Sequence, residues 1–123
     1  MKITLFVLTA FVAAEHIGIL LLEMFFWNHP VGQKIFGMTS EISAASATLA
    51  ANQGLYNGFL AAGIIWALIA NKIDLKIFFL TCIVTAGIFG GLTGKTSIIF
   101  SQALPALIDL IGTLLFLRQA ERS

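Results

Sequence analysis

Apolar residues run along the chain in four long stretches, at about residues 3–27, 49–70, 75–92 and 98–117, separated by short polar breaks. A hydrocarbon core about 30 Å thick takes roughly 20 apolar residues as helix, so these stretches match transmembrane passes in length. The breaks are Asn28-His29-Pro30, whose proline ends the first helix, the Asn71-Lys72-Ile73-Asp74 turn, and Gly94-Lys95-Thr96-Ser97. The pattern predicts an all-α fold: one domain over residues 1–123, built as a four-helix transmembrane bundle. Residues 31–51 are the sizeable piece outside the spans. Within it Ser40 reads as an N-cap with Glu41 in the first turn, and no proline interrupts residues 41–70. The second helix can therefore start in the outer interface and run inward unbroken for about 45 Å.

The N-terminus carries Lys2, an apolar run and Val12-Ala13-Ala14, which imitates a secretory signal with a small-residue cleavage site. The apolar run continues past Ala14 to Trp27, which is span length, so a retained helix is expected.

Composition supports lipid as the solvent. Of 123 residues, 59% are hydrophobic and 11% charged, against roughly a quarter charged in a soluble domain. A chain this short cannot hide that much apolar side chain in one globular core. Net charge is +1 with no basic run, which argues against a nucleic-acid partner. The single cysteine, Cys82, has no second thiol for a disulfide or a metal site. With four passes, Lys2, Lys72, Lys76, Arg118 and Arg122 share one side and Lys34 and Lys95 the other, which places both termini in the cytoplasm. Trp27 and Trp66 fall near span ends, as belt residues do.

Small residues predict close helix packing. Gly54 and Gly58 are spaced GxxxG in the second helix, as are Gly87 with Gly91 and Gly90 with Gly94 in the third. Such faces pack helices within one chain or join two chains as a homodimer. Gly94-Lys95-Thr96 imitates a phosphate loop, but Phe89 stands where that motif needs its first glycine.

Ionisable and amide groups inside spans carry the candidate chemistry, because each is costly in lipid and is normally turned to the bundle interior. His16 and Glu23 lie seven apart in the first helix, about 20° apart on one stripe, and Glu15 flanks that stripe. Asn52 with Tyr56, and Gln53 with Asn57, form i,i+4 pairs in the second helix. Gln102 and Asp109, again seven apart, are expected on one face of the fourth, with Pro105 between them. The reading places His16, Glu23, Asn52, Gln53, Tyr56, Asn57 and Gln102 around one interior pocket. Its plainer alternative is a set of interhelical hydrogen bonds worth about 0.6 kcal/mol each.

Three segments resemble one known family. They are residues 15–27, with Glu15-His16-Ile17-Gly18 and Glu23-Met24-Phe25-Phe26-Trp27, residues 50–63 around Asn52-Gln53-Gly54-Leu55-Tyr56-Asn57-Gly58, and Ala86-Gly87-Ile88-Phe89-Gly90 followed by Gln102-Ala103-Leu104-Pro105-Ala106. Together they are similar to DUF1304, small bacterial membrane proteins named for having no assigned function. The resemblance implies a four-helix protein of the bacterial inner membrane, with recognisable polar positions at His16, Glu23, Asn52, Gln53, Tyr56, Asn57 and Gln102. Glu15 and Asp109 lie outside that pattern.

Three function classes fit these residues. The leading one is transport or ligand binding coupled to a proton or cation, with His16 and Glu23 as the ionisable centre and the amides orienting the ligand. The second is an intramembrane enzyme doing acid–base chemistry on a lipid-soluble substrate. The third is an accessory subunit of a larger membrane complex. A zinc site is not expected, since His16 and Glu23 fall short of three protein ligands. No residue pattern points to a cofactor.

Overall fold

The computed structural model describes residues 1–123, and every regular element in it is helical. The elements are α1 (Ile3–Phe25), α2 (Pro30–Phe36), α3 (Ser40–Ile69), α4 (Ile73–Thr93) and α5 (Leu104–Arg122), with a π-helical segment at Ile99–Ala103 leading into α5. Three helices are long and apolar enough to cross a membrane: Ile3–Phe25, Ile73–Thr93 and the combined Ile99–Arg122. Large apolar side chains cover their outer surfaces, among them Phe11, Phe89, Leu92 and Phe100. So apolar an exterior is compatible with a lipid surrounding. At 30 residues α3 is the longest helix, but its middle carries Asn52, Gln53 and Asn57 and is too polar to be marked as a pass by hydropathy.

Helix ends follow local chemistry. The residue before a proline is pushed out of the α region, and His29 is extended at φ −144°, ψ 150°. The proline does more than stop α1. It is the first residue of α2, an element the apolar pattern did not suggest, and the His29 imidazole caps that helix by accepting from the Val31 N–H at 3.1 Å. Gly37 closes α2 in the left-handed region at φ 62°. The cap of α3 is Thr39, one residue before the expected Ser40: its hydroxyl accepts from the Ile42 N–H at 3.2 Å. Asn71, at φ 51°, ends α3 and turns the chain into α4.

The chain forms two compact units: residues Ala14–Ala61, and Met1–Ala13 with Ala62–Ser123. In the first unit, the C-terminal half of α1 and the first two-thirds of α3 run antiparallel. A β-carbon on Gly54 would lie 2.7 Å from the Met24 side chain and 3.2 Å from the Leu20 carbonyl oxygen, and one on Gly58 would meet Leu20. At Gly54 the neighbours include the Glu23 β-carbon and the Leu20 backbone oxygen, so glycine is needed for the approach, whereas at Gly58 the flexible end of Leu20 can give way. The connection is tied by polar side chains: Trp27 donates to the Ser46 hydroxyl at 2.9 Å, and the buried Ser43 hydroxyl donates to Asn28 Oδ1 while accepting from Gln33, both at 2.9 Å.

Gly32 of α2 sits so close to the end of α1 that a β-carbon there would collide with the Phe26 carbonyl, whereas Gly18 has open space. Gly32→Ala is expected to cost about 1–3 kcal/mol, because backbone atoms must move. Gly18→Ala should be neutral or mildly stabilising through helix propensity. Equal melting temperatures for the two variants in detergent would contradict this packing.

In the second unit, α4 packs on the π segment and α5. Gly87 lies against the backbone of Ala103, and Gly91 against Ile99. The π segment has a cause in Pro105, which lacks an N–H and whose ring would crowd the carbonyl one turn earlier. Widening the turn relieves the crowding, and the Leu104 N–H reaches Ile99 O. On the exposed face of α4, Thr81 and Thr85 each return their hydroxyl to the carbonyl four residues back, at 2.8 Å. Both are satisfied without another polar partner.

Candidate functional site

Glu23 is the centre of the first unit's polar site. Its Oε1 accepts a hydrogen bond from Asn57 Nδ2 at 2.8 Å, joining α1 to α3. The same nitrogen donates at 3.2 Å to the Gln53 carbonyl on its own helix. A side-chain amide has two N–H groups, so one fixes the amide to α3 while the other presents it to the carboxylate. Gly54 makes this reach possible, since its missing β-carbon is what lets Glu23 and Met24 lie against α3. His16, two turns earlier on α1, is 1% exposed.

The remaining expected residues are placed differently. Asn52 and Gln53 are exposed, and Tyr56 is exposed with its ring edge-on to Phe59 at 6.0 Å. Gln102 is half-buried in the π segment and belongs to the second unit. Glu15 is half-buried, and its Oε2 is buried with no hydrogen-bond partner beside an apolar groove of about 530 Å³ lined by Ile19, Leu22, Phe26 and Val31.

The second unit holds a cluster that sequence reasoning missed. Lys76 of α4 and Asp109 of α5 form an ion pair at 3.0 Å, with the two residues 2% and 0% exposed. The Thr9 hydroxyl of α1 donates to Asp109 Oδ2 at 2.7 Å, and Thr113 approaches Oδ1 at 3.4 Å. Lys76 Nζ also lies 3.4 Å from Met1 Sδ. Burial takes Lys76 out of the five cations expected at the surface beside the termini, leaving Lys2, Lys72, Arg118 and Arg122, all exposed, against the exposed Lys34 and Lys95. The available signal was the i,i+4 spacing of Asp109 and Thr113 together with a lysine set inside an apolar helix.

A family model described as "Protein of unknown function (DUF1304)" matches residues 10–114. The chain belongs to the DUF1304 family. It is also similar to a protein of Lactococcus lactis subsp. lactis (strain IL1403) described as the uncharacterized protein YpaA, with 32% identity over 117 residues that cover 92% of this chain and 98% of that protein. No solved structure matches the chain. The DUF1304 match takes in His16, Glu23, Asn57, Lys76, Asp109 and Thr113, so both polar clusters lie largely within the family region.

Proposed function

We propose that this chain is a four-pass protein of the bacterial inner membrane, with both termini cytoplasmic, that binds and moves a proton or small cation at the Glu23–Asn57 site. The observation that carries the reading is the 2.8 Å bond between a carboxylate on a membrane-spanning helix and an amide held by its own helix backbone. A contact needed only for packing could be made by two neutral groups, whereas an ionisable residue in a span is costly and marks a route for charge. The same contact supports α3 as the fourth pass. Gly54 and Gly58 lie along Leu20–Met24 of an apolar spanning helix, so this part of α3 shares the depth of Glu23.

The test is proton entry into proteoliposomes holding a trapped pH dye, driven by a potassium diffusion potential. The wild-type protein should acidify the lumen faster than empty vesicles, and Glu23→Gln, which keeps the shape and removes the charge, should fall to the empty-vesicle rate while remaining folded. A Glu23→Gln variant that conducts like the wild type, or a wild type no faster than empty vesicles, would remove Glu23 from this role.

A further inference from the structure

The buried ion pair of the second unit has no part in the Glu23 reading, and stability does not explain it. Neutral groups of similar size commonly hold a buried position as well as a desolvated ion pair does. What distinguishes the cluster is the unequal freedom of its members. Asp109 has a short side chain in the middle of the Ile99–Arg122 span, with one oxygen held by Thr9 at 2.7 Å and the other approached by Thr113. Lys76 stands one turn inside α4, just after the exposed Asn71-Lys72 turn, on a long flexible stem. Its contact besides Asp109 is the Met1 thioether at 3.4 Å, a weak acceptor. The ammonium is thus the member on a flexible stem near an exposed helix start, and the carboxylate is the member fixed in place.

We propose that Asp109, with the hydroxyls of Thr9 and Thr113, is a seat for a small monovalent metal cation, and that the Lys76 ammonium is a built-in cation competing for it. The charge of the occupant follows from neutrality. When the ammonium withdraws it leaves one buried negative charge, which a monovalent cation restores to zero and a divalent one would overshoot. Its chemical class follows from the donors, since a carboxylate and two hydroxyls are hard oxygen ligands suited to a hard ion. Thr9 is arranged for both states. Its hydroxyl has one proton and two acceptors in reach, Asp109 Oδ2 at 2.7 Å and the Leu5 carbonyl at 2.6 Å. With Lys76 seated the proton goes to Asp109. With a metal cation seated it turns to Leu5, and an oxygen lone pair faces the ion.

The exchange is read on the full-length protein in detergent by the rate at which an amine-reactive reagent labels Lys76, measured by peptide mass spectrometry, with the exposed Lys72 as internal control. Sodium or lithium chloride should raise Lys76 labelling several-fold over choline chloride at equal ionic strength and leave Lys72 unchanged. Asp109→Asn should label fast in every salt. Lys76→Gln vacates the seat, so its melting temperature should rise in sodium or lithium relative to choline, and Lys76→Gln with Asp109→Asn should lose that response. Wild-type labelling equal in all three salts overturns the proposal whether or not the variants fold. A labelling response to pH with sodium and choline equal overturns it too, because the seat would then take a proton and not a metal cation. None of these readouts involves Glu23, so their failure leaves the proton-flux test untouched, and the reverse also holds.

Discussion

Lys76→Met should destabilise the purified protein by about 3–5 kcal/mol in sodium-free buffer, the loss typical of removing one partner from a buried pair. The carboxylate of Asp109 would remain wholly buried, with its ammonium gone and two hydroxyls too weak to replace a positive charge. Asp109→Asn should cost less. Lysine has a long flexible stem one turn from the exposed start of α4, whereas aspartate is short and lies near the middle of the Ile99–Arg122 span. The double variant should recover most of the Lys76→Met loss, because neutralising both positions removes the unpaired charge. Thermal or denaturant unfolding of the four proteins gives the coupling energy directly. Losses that simply add would show that the two residues act independently and that removing Lys76 does not leave Asp109 as an uncompensated buried charge.

Gly87→Val should destabilise by about 1–3 kcal/mol or more. A β-carbon at position 87 would lie 2.8 Å from the Ala103 β-carbon and 2.9 Å from its backbone nitrogen, so the π segment itself would have to move. Gly90→Ala is the matched control. Its β-carbon would meet only the Ile98 side chain, at 3.4 Å, an ordinary contact, and the gain in helix propensity should leave stability unchanged or improved. Similar melting temperatures for Gly87→Val and Gly90→Ala would contradict the close approach of α4 to the π segment.

The glycine spacing made much of this packing legible in advance. GxxxG at Gly54 and Gly58 expected a close neighbour, and the neighbour is α1 along Leu20–Met24. The unbroken α3 is legible for a simpler reason, since residues 41–70 contain no proline. Its cap was displaced by one residue, because Thr39 and Ser40 are both capping residues and sequence alone does not choose between adjacent hydroxyls. The short α2 is hidden in the sequence because a proline both ends one helix and suits the first position of the next, and Pro30 by itself does not say which.

For the polar residues, the sequence determined the inventory and tertiary structure decided the partners. Helical periodicity relates groups on one helix, and so it could align His16 with Glu23 and rank Asn57 among the candidates. It carries no information about which helix lies alongside at what offset. The Glu23–Asn57 bond depends on the α1–α3 approach at Gly54, and the Lys76–Asp109 pair depends on how α4 meets α5, a register that the π turn before Pro105 shifts away from simple counting. Hydropathy alone made lysines look like surface charges and apolar stretches like spans, because it weighs each residue by its transfer cost. Burial of Lys76 escapes that weighing because its charge is neutralised by a carboxylate 33 positions away in sequence and 3.0 Å away in space, a compensation that exists only once the helices have packed.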